Sequence, residues 1–275
     1  MSLPKIPNLV YEIVLPVINE KIKFRPFVVR EYKALLFAQE MGDESNHVFT
    51  NTISNILTDC TFNKIDIDNL PMYLIDYLFM IIRAKSVSEI IDASYVCNNP
   101  IKKYIEASEN EVSPNEVSPN EVSLPKDVKE KIEPCGTQFP VQINLMNTFV
   151  KFPPNYNQKC VIKIDENIGM RLKSPSFEKF KSVGIEGKGI FDITDEYIYS
   201  CIECVFDGDK ILKPGVDFTF EELSEFIGDF PSEKINQITE FFKNQPHICL
   251  EMVLTCPTCN YTNKIELNSV KDFFD

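Results

Sequence analysis

Tryptophan is absent from these 275 residues, histidine occurs only as His47 and His247, and there are nine glycines. Two histidines leave little material for imidazole acid–base or nucleophilic chemistry. The glycines form no G-x-G-x-x-G, no GKS or GKT phosphate loop and no G-x-S-x-G, and the histidines form no paired zinc motif. Long apolar runs are missing as well: nothing approaches the ~18 uninterrupted apolar residues of a bilayer span. The opening MSLPKIPNLVYEIVLP lacks the basic leader and apolar stretch of an export signal. The chain is therefore expected to be neither secreted nor membrane-spanning. Positive charge is scarce too, with 28 Lys and Arg against 41 Asp and Glu and a net charge of -13. That balance removes the diffuse attraction to phosphate behind most non-specific nucleic-acid affinity. These shortages point away from nucleic acid as a partner and away from an enzyme with a small-molecule substrate.

Apolar residues make up 44% of the chain and charged residues 25%, so a buried core is expected, in one large domain or two modest ones. Nine cysteines, an odd number, accompany the missing export signal. Thiols or thiolate–metal ligation fit better than a disulfide framework, and the cytoplasm is the expected compartment.

Along the chain, Val10, Glu12 and Val14, then Ile22 and Phe24 beyond Asn19-Glu20, read as a hairpin that Pro26 ends. Helical spacing predicts helices over Val29 to Met41, His47 to Cys60, and Pro71 to Ser86 with Pro71 in the first turn, followed by a strand from 90 to Cys97. Residues 98–134 change abruptly to Asn, Glu, Ser, Pro and Lys and carry NEVSP-NEVSP-NEVSL from Asn110 to Leu124, which predicts a disordered surface insertion. Strands are expected at Phe139 to Leu145, 160–165 and 168–173. Helices follow at Asp195 to Phe206, Glu221 to Gly228 and Ser232 to Lys243, the last started by Pro231-Ser232. A strand over Ile248 to Thr255 runs into Cys256-Pro257-Thr258-Cys259, and Ile265 and Leu267 continue as another.

Both sides of residue 150 thus share one order: strands, three helices, strand, cysteine, cysteine, strand. The local match is CGTQFPVQINLMNTF from Cys135 against CNYTNKIELNSVKDFF from Cys259. The reading is an α+β fold of two similar halves, 1–150 and 151–275, related by internal duplication. Cys97 then corresponds to Cys256 and Cys135 to Cys259, and the halves meet at a zinc-ribbon-like cluster of four thiolates. Four sulfurs at about 2.3 Å around a tetrahedral zinc leave no open position, so such a site is structural. His247 is a reserve ligand should Cys97 not serve. Cys201 and Cys204 are expected on one face of a helix as core residues, and Cys60, Cys160 and Cys249 as packing thiols. Asp207-Gly208-Asp209-Lys210 reads as a turn.

Ile22 to Phe27 (IKFRPF), Glu31 to Leu36 (EYKALL) and Leu78 to Val87, with its RAKSV, resemble the baseplate hub subunit family of T-even-like bacteriophages. The resemblance covers the chain apart from 98–134. It implies a late viral protein without catalysis that helps build the hub of a contractile-tail baseplate. Its implied partners are other phage baseplate hub proteins, and its implied places are the host cytoplasm or the tail baseplate of the particle. Arg25, Arg83 and Lys85 are candidate partner contacts, or else caps and ion pairs of an acidic surface. The cysteine pairs taken alone suggest a different class, a zinc-ribbon regulator acting on nucleic acid, which the acidic balance disfavours.

Overall fold

A computed structural model describes residues 7, 9–40, 46–106, 128–154, 156, 159–183 and 195–268. With 37% of the described residues helical and 34% in strands, and with antiparallel registers in the described ladders, a mixed α+β class is observed. Two compact units make up the chain. One comprises Met1–Ile90, Asn144–Leu250 and Leu267–Asp275, and the other Ile91–Ile143 and Glu251–Glu266. Each unit draws on both sides of residue 150.

The larger unit opens with a hairpin, β1 (Tyr11–Val14) and β2 (Lys21–Phe24), in the register Tyr11↔Phe24. Three helices follow, α1 (Val29–Glu40), α2 (Asn46–Cys60) and α3 (Met72–Ser86). Pro71 proves to be the N-cap of α3 and not its first turn. Nine residues of α3 are buried, among them Leu74, Leu78 and Ile82, which makes it the central helix of a core that also takes in Phe24, Leu57 and Phe177. Burial of each such side chain is worth about 1.5–3 kcal/mol.

A second core in this unit lies beneath a four-stranded sheet ordered β11-β10-β9-β8: β8 (Lys159–Lys163), β9 (Ile168–Lys173), β10 (Ile202–Asp207) and β11 (Lys210–Leu212). Helices α4 (Phe177–Val183), α5 (Asp195–Cys201), α6 (Phe220–Gly228) and α7 (Ser232–Lys243) also belong to this unit. The helix expected over Asp195 to Phe206 stops at Cys201, and its second half is strand β10. Cys201 and Cys204 therefore do not share a helix face, although both are buried as expected, at 0% and 4% exposure. Ile202 and Val205 suit a strand between two others, and burial of both sheet faces erases the alternation that would have announced it. Asp207 pairs with Lys210 across Gly208 (φ 58°), the expected turn. Ser232 does not cap α7, where Pro231 is the N-cap without a side-chain bond; a full capping box sits instead at α6, between Thr219 and Glu222.

In the larger unit a hairpin, a proline that ends the ladder and a helix occur twice: β1, β2, Pro26, α1 and β8, β9, Pro175, α4. Phe27 and Phe177 enter the same core from these two places.

The smaller unit consists of ribbons. Strand β3 (Ile90–Val96) pairs with β6 (Gln138–Asn144), and β4 (Pro100–Glu106) pairs with β5 (Val128–Pro134) over seven residues each. Strand β12 (His247–Thr255) begins in the larger unit, where it pairs with β7 (Phe149–Lys151), and beyond Leu250 pairs with β13 (Thr262–Leu267). The ends of the stretch expected to be disordered are thus a ladder. In this ladder Ile132 is 69% exposed, so its apolar side chain marks no buried face for sequence patterning to report. The pentapeptide repeat itself lies outside the described residues.

Candidate metal centre

Among the described residues of the smaller unit, only Cys97, Ile143, Cys256 and Asn263 are buried. A ribbon unit of this kind cannot draw its stability from an apolar core. Its centre is made of sulfur. The Sγ atoms of Cys97, Cys135, Cys256 and Cys259 all lie within 4.8 Å of one another, and none of the four is in a disulfide.

Two matching turns bring them together. In the second, Cys256 N–H donates to Tyr261 O (2.9 Å), Asn260 N–H donates to Cys256 O (3.0 Å), and Asn260 takes φ 56°. In the first, Cys97 N–H donates to Thr137 O (2.9 Å), Gly136 N–H donates to Cys97 O (2.9 Å), and Gly136 takes φ 71°. The left-handed residue follows the second cysteine in both turns, a place suited to Gly or Asn. The correspondence of Cys97 with Cys256 and of Cys135 with Cys259 is therefore visible in the hydrogen bonds. The ladder β4–β5 leaves the first turn after Asn99 and returns at Cys135, whose N–H donates to Asn99 O at 2.8 Å.

Two sulfur contacts join one turn to the other: Cys97 to Cys259 at 3.7 Å and Cys135 to Cys256 at 3.8 Å. Ligands about 2.3 Å from a tetrahedral ion stand about 3.8 Å apart along each edge, and a disulfide requires about 2.05 Å. The spacing fits a four-thiolate metal site. Electrostatics prepare it: the N–H groups of Cys259 and Thr258 draw the Cys256 thiol down to about 6. Thr137, through side chain and backbone, lowers Cys135. Cys259 is pushed up to about 11: the Tyr261 N–H opposes the rise, and burial with three neighbouring sulfurs overcomes it. One thiol ionises readily and the last resists, which is where a cation contributes most. Around the sulfurs, Asn99 Nδ2 lies 3.8 Å from Cys259 and Asn263 Nδ2 3.8 Å from Cys97. The partnership of Asn263 could be sought in the sequence only through the alignment of the two cysteine segments.

His247 is not in this group; it pairs with Lys151 at the start of β12. Burial pushes the thiols of Cys60 and Cys201 up to about 12, as fits packing residues. An open groove of about 490 Å³ beside α7, lined by residues that include Tyr156, Cys160, Glu240 and Phe241, holds a thiol that burial shifts upward, away from nucleophilic character.

A family model described as T4 bacteriophage base plate protein matches residues 6–275. The chain belongs to that family. No curated protein and no solved structure matches it. Membership gives this base plate protein a structural or assembly role in the phage tail baseplate and, among its relatives by family, other baseplate proteins as its natural company. No helix among the described residues is long and apolar enough to cross a membrane.

The segments that carried the resemblance hold this base plate protein together internally. Arg25, 7% exposed, forms a two-pronged pair with Glu31, Nη2 to Oε1 at 2.7 Å and Nη1 to Oε2 at 2.9 Å, and Glu31 Oε2 also accepts Val28 N–H at 2.7 Å. Burial works against the Glu31 charge, but Arg25 and the Val28 N–H hold its carboxyl below the usual range. Lys85 pairs with Glu89 at 2.6 Å and lies 5.3 Å from the centre of the Tyr11 ring. Arg83 lies on the buried helix α3, where burial lowers its pKa.

Proposed function

We propose that this base plate protein acts without catalysis in building the hub of the baseplate, by contact with other hub proteins, and that one zinc ion bound to Cys97, Cys135, Cys256 and Cys259 holds its smaller unit together. The observation that supports the metal is four sulfurs within 4.8 Å of one another, two pairs of them at tetrahedral-edge spacing, in a unit with almost no apolar core among its described residues. Its hub placement rests on the IKFRPF and RAKSV segments, and an acidic chain of net charge -13 suits a more basic partner. The halves 1–150 and 151–275 descend from one duplicated unit. The twin turns and the twice-used hairpin, proline and helix support that descent and the zinc-ribbon-like description. Zinc supplies a closed, redox-inert cross-link there; the chain's own part is to hold four thiolates at the right spacing.

Quantitative mass spectrometry of purified particles and of infected-cell lysate, with partners captured from the lysate, tests the role. A fixed number of copies per particle makes it a hub subunit. Abundance in lysate with hub partners and absence from particles makes it an assembly factor working in the host cytoplasm. Capture without any hub protein would refute the hub placement.

A further inference from the structure

Asn263 is a buried amide in a unit where the fold does not ask for one. It is 8% exposed and stands four residues after the second cysteine of its turn, in β13. The position four residues after the second cysteine of the matching turn, in β6, is Phe139. Both turns close with the same backbone hydrogen bonds, so the backbone accepts an apolar ring at this place.

The partners of Asn263 explain the difference. Its amide nitrogen, with two protons, lies 3.3 Å from Tyr261 O, 3.5 Å from Leu254 O and 3.8 Å from Cys97 Sγ. The Tyr95 hydroxyl donates to its Oδ1 at 3.2 Å. Turning the amide over would set its oxygen against two carbonyl oxygens and a sulfur, so the network fixes the orientation. One proton serves the carbonyl pair, and the other is directed at the sulfur.

We infer that Asn263, held in place by Tyr95, is a positioning residue of the metal centre: its amide donates to the Cys97 thiolate, fixing that ligand's direction and spreading its charge into the protein. The inference rests on the metal reading proposed above. Four thiolates on a divalent ion leave a net charge of about -2, which is costly in a chain already carrying -13. An N–H donor to sulfur relieves that charge, as donors around metal ligands do generally. The turn that has Phe139 in place of this amide supplies donors at other points, Thr137 Oγ1 at 3.2 Å from Cys135 and Asn99 to Cys259.

The test uses the full-length chain, stripped of metal under reducing conditions and titrated with Co²⁺ and with Zn²⁺ against a chromogenic chelator. N263L, N263D and Y95F are compared with the wild type. Loss of the donor is expected to weaken metal binding about 10- to 100-fold and to move the sulfur-to-cobalt charge-transfer band to lower energy, because an unbonded thiolate gives up its electron more easily. N263D, which keeps the shape and turns an oxygen toward the sulfur, should be the weakest binder. Y95F removes only a hydroxyl and should move the band the same way by less. A purely structural amide would alter folding and leave the band where it is. A wild type without a sulfur-to-cobalt band would sink the metal reading and this inference with it. A wild type with the band, matched in energy and affinity by N263L and Y95F, would leave the metal reading standing and overturn the role of Asn263. Should the Asn263 variants fail to fold, the band of Y95F decides.

Discussion

Removing the proposed zinc with a chelator should unfold residues 91–106, 128–143 and 251–266 while leaving the larger unit intact. Ile143 is the one buried aliphatic side chain in that unit among the described residues, and its burial contributes about 1.5–3 kcal/mol. Structural zinc contributes about 10–16 kcal/mol of apparent free energy in small domains, so the proposed ion would outweigh the apolar term several-fold. Cys256→Ser would remove one of four ligands and, on equal shares, about 2.5–4 kcal/mol, or about two to three decades of metal affinity. Hydrogen exchange read by mass spectrometry, with and without chelator, resolves the two units. Amides of β3, β6 and β13 should lose protection while those of α3 and β9 keep it, and metal analysis should find the serine variant depleted. Unchanged protection in β3, β6 and β13 after chelation, or full metal content in Cys256→Ser, would refute the reasoning.

Arg25→Ala leaves the buried Glu31 carboxylate with the Val28 N–H and only the exposed Arg30, 3.9 Å away, and should destabilise the larger unit by about 3–5 kcal/mol in a denaturant melt, most of it recovered by Arg25→Met with Glu31→Leu. The sign with pH follows from the lowered Glu31 pKa. Its stabilising effect is complete above the unfolded value of about 4.3 and is lost as pH falls through the lower folded value, so the gap between wild type and Arg25→Ala narrows in acid. Gly169→Ala would drive a methyl into the Phe206 ring and Ile162 O and should cost about 1–3 kcal/mol, with metal content unchanged. Deleting 100–134 joins Asn99 to Cys135 as Cys-Asn-Asn-Cys, the spacing of Cys256 to Cys259; the shortened chain should bind one metal per chain, and failure to do so would contradict the equivalence of the two turns. Gel-shift titration at low salt should show no retardation of DNA or RNA, as the charge of -13 implies, and retardation would restore the regulator reading.

Much of the architecture was legible because its signals are local. The hairpin carries its own alternation, α3 its apolar stripe from Leu74 to Ile82, and Cys256-Pro257-Thr258-Cys259 its own turn. The meeting of Cys97 with Cys135 was legible only through the element order of the two halves, since 37 residues lie between them in the chain. Three kinds of feature stayed hidden. Tyr197 to Phe206 is apolar except for Ser200 and Glu203, so periodicity cannot separate the end of α5 from the start of β10. Short elements such as α4, β7 and β11 exist through tertiary contact and have too few residues to form a pattern. The β4–β5 ladder is rich in Lys and Glu and resembles solvated coil in composition, yet its backbone pairs over seven residues.

The 2.8 Å bond from Cys135 N–H to Asn99 O also makes the first turn a place where foreign sequence can be added. A segment whose two ends already touch can be lengthened or exchanged with little change in closure entropy. Seven paired residues at about 3.3 Å each put the far end of the β4–β5 ladder roughly 23 Å along the ribbon from its base. An epitope or fluorescent protein spliced between Glu106 and Val128 would ride on that stem, clear of the sulfurs, and its arrival at a growing baseplate could be timed inside an infected cell.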